Sequence, residues 1–392
     1  MLSRLANRTS DIAPFFVMEL LGRAKQLEMQ GRDIIHMEIG EPDFATPQIV
    51  VDAGIRRLQT GDIKYTPAAG LPELRQKIAD YYQTRYAVTV DKERIFVTPG
   101  ASGAFLLALA ASVNPGDEIV MADPCYPCNS NFIKLFEGKA VTLPVDATTD
   151  YQLTAELIKR HWTPSTKGVL IASPSNPTGT LIEPDEFKQC IHLVNERGGC
   201  FYSDEIYHGL VYGKHAATAL EFSDNVFVIN SFSKYFGMTG WRIGWLIVPD
   251  GFVEATEKLA QNIFIATPTL SQYAALAAFD EQNLEELESR RAEFAVRRDF
   301  LYNALVQLGF DIPAKPDGAF YIYANCAKFT DDSYRFALEF LETEGVAITP
   351  GIDFGSFKAN EHLRFAYTTS IERIAKAMQR LEQFINKNNN KG

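Results

Sequence analysis

A lysine in the second half of the chain has the surroundings that covalent chemistry at an amine requires. Lys234 follows two serines, Ser231 and Ser233, and apolar runs before and after this segment predict buried strands. Three glycines lie within the next ten positions, and Arg242 comes eight residues after the lysine. Partial burial lowers the pKa of a lysine and leaves free amine to attack a carbonyl. The hydroxyls, glycines and cations indicate a phosphate site beside that amine.

The motif around Lys234 resembles that of a known family. Ser-Phe-Ser-Lys followed by Gly-Trp-Arg-Ile-Gly-Trp is similar to the pyridoxal-phosphate lysine signature of class I/II aminotransferases of fold type I. Asn176 lies 28 residues before Asp204, which lies 30 residues before Lys234, and this spacing is also similar to that of the family. By itself Lys234 could be a solvated surface lysine. The ordered set is what makes the resemblance specific, and it covers residues 40–364.

The resemblance implies a cofactor and a role for each motif residue. Lys234 is expected to form a Schiff base with pyridoxal 5'-phosphate, and an amino group is expected to move from an L-amino acid to a 2-oxo acid in a ping-pong mechanism. The implied catalytic residues are Lys234, Asp204 and Tyr207. The implied cofactor contacts are Gly100, Ala101, Ser102, Tyr126, Asn176, Asp204, Tyr207, Ser231, Ser233, Lys234 and Arg242. The implied substrate contacts are Gly40, Asn176 and Arg364.

The resemblance also implies a homodimer with shared active sites, because the tyrosine matching Tyr65 reaches the cofactor phosphate of the neighbouring subunit. Without the resemblance, the residues themselves favour simpler readings. Tyr126 and Tyr207 could be ordinary core tyrosines. Arg364 could be an exposed arginine on a strand, and Gly40 could belong to a turn.

The elements around these residues predict an α/β fold. Apolar runs that alternate with helical stretches predict a mainly parallel sheet with helices on both faces. The predicted strands are 94–98, 118–122, 141–145, 168–172, 199–202 and 226–230. Five of them end in polar, turn-forming residues, and ligands bind beyond the carboxyl ends of such strands. The helix that follows Gly100 would present free backbone N–H groups to a phosphate, although this signal alone is weak.

The length of 392 residues and the 46% hydrophobic content suggest two domains. We expect the N-terminal segment (1–45) and the C-terminal part (286–392) to form a smaller α+β domain beside a large cofactor-binding domain (46–285). Helices are predicted over 11–31, 252–308 with a break near 267–268, and 333–344, and strands over 319–323 and 362–367. Four arginines at 290, 291, 297 and 298 fall off the apolar stripe of the long helix.

Composition argues against several classes of protein. The net charge is −11, and no basic block indicates nucleic-acid binding. The longest apolar run is too short to span a membrane, and the N-terminus lacks the apolar core of a secretory signal. We therefore expect a cytoplasmic protein. Cys125 and Cys128 form a Cys-x-x-Cys pair, but no second ligand pair stands at metal-binding spacing, so no metal is expected.

The reaction and the substrate leave alternatives open. A C–S lyase on the same scaffold would need the same cofactor residues. A non-enzymatic regulator would carry an added DNA-binding module, for which the first ten residues are expected to leave no room. Ser102 stands where some aspartate-using members of the family have a lysine, which leaves an acidic substrate unsupported. Phe15, Phe16 and Tyr65 could form an apolar rim around the substrate.

Overall fold

The structure is a computed structural model that describes residues 5–6, 8–12 and 15–389, with side chains described as far as residue 387. Its α-helices within these ranges are α1 (Arg8–Asp11), α2 (Phe16–Met29), α3 (Gln48–Thr60), α4 (Pro72–Tyr86), α5 (Gly100–Ser112), α6 (Pro127–Leu135), α7 (Ala155–His161), α8 (Pro184–Glu196), α9 (Val253–Ile263), α10 (Thr269–Leu276), α11 (Glu281–Leu308), α12 (Ser333–Glu344) and α13 (Ile371–Asn389). None of the helices within these ranges is both long and apolar enough to cross a membrane.

The strands of the described chain fall into three sheets, described below. They are β1 (Ile35–His36), β2 (Ile95–Thr98), β3 (Glu118–Asp123), β4 (Lys139–Pro144), β5 (Thr166–Ala172), β6 (Cys200–Asp204), β7 (Phe227–Ser231), β8 (Gly244–Ile247), β9 (Tyr321–Asn325), β10 (Val346–Ala347), β11 (Thr349–Pro350) and β12 (His362–Ala366). The six strands predicted between residues 94 and 230 all form, each with ends within two residues of the predicted ones.

Seven of these strands form the central sheet, in the order β2-β8-β7-β6-β5-β3-β4. β8 is antiparallel to its neighbours β2 and β7, and the other adjacent pairs are parallel. Successive residues of β2 enter different apolar clusters, Phe96 on one face and Val97 on the other. Because a parallel sheet exposes neither face to water, both faces need such a cover. The predicted α/β fold with a mainly parallel sheet is confirmed.

A smaller unit joins the two ends of the chain. β11, β12 and β9 form an antiparallel sheet of three strands. β1 pairs in parallel with β10, Ile35 opposite Val346, so the N-terminal segment lies against the C-terminal part. The predicted smaller α+β unit from both chain ends is therefore present. The domain boundaries stay predictions, and the one at 285/286 falls inside α11.

The helices differ from their predicted bounds at two places. The pattern over 11–31 contains α2, which ends just before Gln30 and Gly31, while residues 13–14 lie outside the described chain. The stretch over 252–308 breaks around Thr267 and Pro268, as predicted, and it breaks a second time between α10 and α11, where Ala277–Phe279 form a 3-10 helix. A distant residue binds the backbone N–H groups at the start of α2. Asp353 accepts hydrogen bonds from the N–H of Phe16 and of Val17.

The long helix α11 buries two of its four off-stripe arginines. Arg297 is 5% exposed and its guanidinium contacts the carboxylates of Asp43 and Glu293. Arg298 is 8% exposed, pairs with Asp299 and donates a hydrogen bond to the Pro316 carbonyl. Buried charges are tolerated when they are paired. These long-range pairs attach α11 to the N-terminal segment and to the start of the smaller unit.

The cysteines are unpaired thiols, including Cys125 and Cys128. Burial raises the pKa of Cys125 to about 12, and the neighbouring Asp123 carboxylate contributes. A thiol with such a pKa holds its proton near neutrality and is a poor nucleophile. Within the described ranges no group of three or more His, Cys, Asp or Glu residues is arranged to hold a metal ion.

Candidate active site

Lys234 lies just past the end of β7, in a turn between buried strands. Its Nζ atom donates a 2.6 Å hydrogen bond to the carbonyl of Gly40 and lies 5.9 Å from the centre of the Phe320 ring. Desolvation lowers the pKa of this amine to about 8, and the charges of Arg364 and Arg242 contribute to the decrease. About a tenth of the amine is therefore free of its proton at pH 7.

Asp204 ends β6, the strand next to β7 in the sheet. Its carboxylate is buried and accepts one hydrogen bond among the described residues, from the backbone N–H of Ile206 at 3.2 Å. Burial raises the pKa of Asp204 to about 7, and the Lys234 charge opposes that shift only weakly. A buried carboxylate with so few donors is costly unless a cation faces it. The arrangement therefore has room for a positively charged partner at this oxygen pair.

A cradle for an anion lies where α5 begins. A side chain at Gly100 would bring its Cβ within 2.7 Å of the Arg242 Nη2 atom, so a glycine is what allows the guanidinium to approach the helix. The first N–H groups of a helix have no partner within the helix and carry its positive dipole end. Arg242 has a positive φ of 53°, and within the described part of the chain it donates one hydrogen bond, to the Thr239 carbonyl. Its remaining donors and the α5 amides suit a phosphate.

The two serines before Lys234 differ in their distance from the cavity. Ser233 lines the cavity beside Lys234. Ser231 is buried, and its Oγ lies 2.9 Å from Ser233 Oγ and 3.1 Å from the Ile243 carbonyl oxygen. Ser231 is not among the cavity-lining residues, so its contact with the site runs through Ser233.

Arg364 is buried on β12, unlike the exposed strand arginine that the pattern alone favours. It is 4% exposed, and its Nη1 donates to Asn176 Oδ1 at 2.8 Å. Its Nη2 donates to Thr349 Oγ1 and to the Glu38 carbonyl. The guanidinium carbon lies 4.2 Å from the centre of the Tyr321 ring, and Nε has no hydrogen-bond partner among the described residues. The fork is held rigidly, with a donor to spare for a ligand.

Tyr321 organises the opposite wall of the site. Its hydroxyl lies 2.8 Å from that of Tyr207, and burial raises the pKa of both phenols. A Cβ at Gly40 would lie 1.8 Å from the Tyr321 hydroxyl oxygen, so only glycine fits there. Tyr126 lines the same cavity and meets the ring of Phe15 edge to face, with ring centres 6.1 Å apart.

These groups surround one cavity of about 250 Å³. The sequence-predicted residues that line it are Gly40, Ala101, Ser102, Tyr126, Asn176, Asp204, Tyr207, Ser233, Lys234, Arg242 and Arg364. Gly100 lies behind the Arg242 guanidinium and does not itself line the cavity. Tyr65 is 82% exposed and does not line the cavity of its own chain. Of the three residues expected to form an apolar rim around the substrate, Phe15 lines the cavity. Phe16 does not, and its ring packs against Tyr334.

Sequence reasoning missed several residues of the site, and four of them are described here. Glu38 and Thr349 hold the Arg364 guanidinium, and Tyr321 packs against it. Phe105 lines the cavity from α5, in a run that reads as an ordinary buried helix. Tyr321 offered the one local signal. It is the third residue of a predicted strand, and its hydroxyl group would need a hydrogen-bond partner if that strand is buried.

The comparison with known proteins agrees with this geometry. Residues 32–381 match the family described as "Aminotransferase class I and II". The (5-formylfuran-3-yl)methyl phosphate transaminase of Methanocaldococcus jannaschii is 39% identical over 98% of this chain and 100% of its own length. The valine–pyruvate aminotransferase of Mycobacterium tuberculosis is 37% identical over 98% of this chain and 99% of its own.

Solved structures give the same result. An aminotransferase from Mycobacterium tuberculosis superposes with a TM-score of 0.95 at 37% identity, covering 98% of this chain and all of that one. The aspartate aminotransferase of Thermus thermophilus with maleate gives 0.92 at 31% identity, over 97% and 100%. These relatives offer no support for the C–S lyase alternative. The chain belongs to the class I and II aminotransferases, with the fold of type I, and its reaction is the transfer of an amino group.

Proposed function

We propose that this aminotransferase works with pyridoxal 5'-phosphate bound covalently to Lys234. The observation that carries the proposal is the position of Lys234 and Asp204 at the ends of adjacent strands. Lys234 is a half-buried amine with a pKa of about 8, and Asp204 is a buried carboxylate with one hydrogen-bond donor among the described residues. The amine suits a Schiff base with an aldehyde, and the carboxylate suits a protonated pyridine nitrogen.

The anion cradle fits the phosphate of that cofactor. Arg242, Ser233 and the amides of Gly100, Ala101 and Ser102 are the donors we assign to it, with Ser231 orienting Ser233. Support comes from the positive end of the α5 dipole and from the free guanidinium donors of Arg242. Asn176 and Tyr207 are assigned to the ring's phenolic oxygen, and Tyr126 to the face of the ring.

When bound, the cofactor supplies an electron sink for the electron pair left at the substrate Cα. Lys234 Nζ, released when the amino group of the substrate takes its place on the cofactor, would take the proton from Cα and donate it to the aldehyde carbon of the cofactor. A pKa near neutrality suits both transfers. Asp204 holds a proton on the pyridine nitrogen. The buried setting of both groups strengthens these electrostatic effects by excluding water.

Arg364 is assigned to the α-carboxylate of the amino acid and of the 2-oxo acid. A guanidinium fork binds a carboxylate through two parallel hydrogen bonds, and its orientation sets which bond of Cα faces Lys234. Support comes from the rigid hold on Arg364 by Asn176 and Thr349. Gly40 leaves its backbone free to approach the same carboxylate.

The first prediction concerns the capture of the cofactor by Lys234. With a pKa of about 8, the free-amine fraction of Lys234 rises about tenfold between pH 7 and 9 and then levels off. The initial rate at which cofactor-free protein captures pyridoxal phosphate should follow the same curve, measured by intact mass after borohydride reduction. Lys234→Ala should lose the adduct, and Lys64→Ala, which changes an exposed lysine, should keep it. An adduct on another lysine would refute the assignment.

A second prediction concerns the assembly. We propose a homodimer in which Tyr65 of each chain reaches the phosphate in the site of the other, since this tyrosine is 82% exposed and lies outside its own cavity. A hybrid of a Lys234→Ala subunit with a Tyr65→Ala subunit then contains one intact site. It should bind pyridoxal phosphate as tightly as the unaltered protein does. Affinity no better than that of Tyr65→Ala alone would argue against shared sites.

A third prediction concerns Arg364. Arg364→Ala should weaken amino-acid binding by about a hundredfold, and Arg364→Lys by less, because lysine keeps the charge but not the fork. The measurement is the concentration dependence of the half-reaction with an amino acid. The corresponding amine that lacks a carboxylate serves as the comparison, and its binding should barely change. Arg380→Ala, which removes a partner of Asp33 outside the cavity, is the matched control. Equal effects on the amino acid and the amine would remove Arg364 from carboxylate binding.

A further inference from the structure

Six apolar residues that line the cavity take no part in the roles assigned so far. They come from the N-terminal segment, from the loop before Gly40, and from the helices α5 and α6 of the large sheet unit. They are Phe15, Val17, Met18, Ile39, Phe105 and Phe132. The rings of Phe105 and Phe132 stack nearly in parallel, with centres 5.5 Å apart. We refer to these six residues as the apolar wall.

The part of the wall that comes from α2 is fixed in place. Asp353, in the segment between β11 and β12, accepts hydrogen bonds from the N–H of Phe16 at 2.9 Å and of Val17 at 3.0 Å. The Phe15 ring contacts the ring of Tyr126, which also lines the cavity. Met18 belongs to the same turn and remains 57% exposed. This part of the apolar wall is therefore fixed in position. The exposed side chain of Met18 offers apolar surface that an apolar ligand would cover.

The charged residues that this chain itself contributes to the cavity leave no cation for a second carboxylate. Among the described residues, the basic side chains that line it are Lys234, Arg242 and Arg364. The proposed function uses the first for the cofactor, the second for its phosphate and the third for the α-carboxylate. Of the acidic residues there, Asp204 faces the cofactor and Glu38 is bonded to His36. A side-chain carboxylate placed against the apolar wall would lose its water without gaining an opposite charge.

We propose that the amino donor of this enzyme carries an uncharged, apolar side chain, and that the apolar wall binds it. The inference rests on the proposed function, because that function assigns the three cations. The wall favours such a side chain by removing its apolar surface from water, and each methylene group buried adds to the affinity. An acidic side chain of similar size is disfavoured for lack of a partner.

The first test measures binding without turnover. Leucine and aspartate without their amino groups are 4-methylpentanoate and succinate, which share the carboxylate that Arg364 would hold. Calorimetry on the cofactor-loaded enzyme should give a dissociation constant at least about tenfold lower for 4-methylpentanoate. Equal affinity, or tighter binding of succinate, would overturn the inference and would mean that a cation from outside this set reads the second carboxylate.

The second test locates the wall with a matched pair of variants. Phe15→Ala removes a ring that lines the cavity, while Phe16→Ala removes a neighbouring ring that packs against Tyr334 instead. Phe15→Ala should raise the KM for leucine about fivefold relative to the KM for alanine, whose methyl group offers little area to the wall. Phe16→Ala should leave the ratio of the two KM values unchanged. If both variants leave that ratio unchanged, or if both change it alike, Phe15 does not contact the substrate side chain.

One experiment distinguishes a failure of the inference about the donor side chain from a failure of the proposed function. Half-reactions are followed at the absorption band of the lysine-bound cofactor, with leucine, methionine, phenylalanine or aspartate as the single donor. Conversion of the apolar donors ahead of aspartate supports the inference. Conversion of aspartate at an equal or higher rate overturns the inference and leaves the proposed function standing. Lack of a bound cofactor, or no conversion by any amino acid, overturns the proposed function itself.

Discussion

The removal of charged groups from water is the constraint on which the site depends. Asp204 and Arg364 are buried and Lys234 is half-buried, and all three line one cavity with few partners of opposite charge among the described residues. Burial disfavours the charged form of the amine and of the carboxylate, and it moves both pKa values toward neutrality. A fold can keep such groups only if a rigid frame prevents them from reaching solvent. The same desolvation that is unfavourable for the protein alone gives an amine and an acid that can exchange protons near pH 7.

The frame that holds these groups draws on distant parts of the chain. The carboxyl ends of β6 and β7 place Asp204 and Lys234 side by side, because parallel neighbours end at the same edge of the sheet. The smaller unit supplies Arg364, and the pairing of β1 with β10 brings the Glu38 carbonyl to its guanidinium. The site therefore lies between the large sheet and the smaller unit.

Much of this could be predicted from local patterns. Buried parallel strands are continuous apolar runs, so β7 and β6 were found with nearly correct ends, and the polar residues after them followed. Other features depend on packing between segments far apart in sequence. The burial of Arg297 requires Asp43 as its partner, and the use of Thr349 to hold Arg364 requires the register of β11 against β12. The local sequence indicates neither of these two pairings. The partners of Arg297 and Arg364 can be identified only from the folded structure.

Tyrosine and phenylalanine side chains show the same limit. Phe15 and Phe16 are adjacent and chemically identical, yet one lines the cavity and the other packs on Tyr334. Both lie at the start of α2, where Asp353, more than 300 positions away, accepts hydrogen bonds from the N–H of Phe16 and of Val17. The local sequence does not indicate which of the two rings faces the cavity. Tyr321 likewise sits in a predicted core strand, and its role follows from its contacts with Arg364 and Tyr207.

The most direct measurement is the absorption spectrum of the purified, cofactor-loaded enzyme before and after the addition of one amino acid, with no oxo acid present. We expect a yellow band that an amino donor converts to the spectrum of pyridoxamine phosphate, with one equivalent of 2-oxo acid formed per active site. Pyruvate and ammonia accumulating while the yellow band persists would contradict amino-group transfer. A protein that binds no pyridoxal phosphate under these conditions would contradict the central assignment of Lys234.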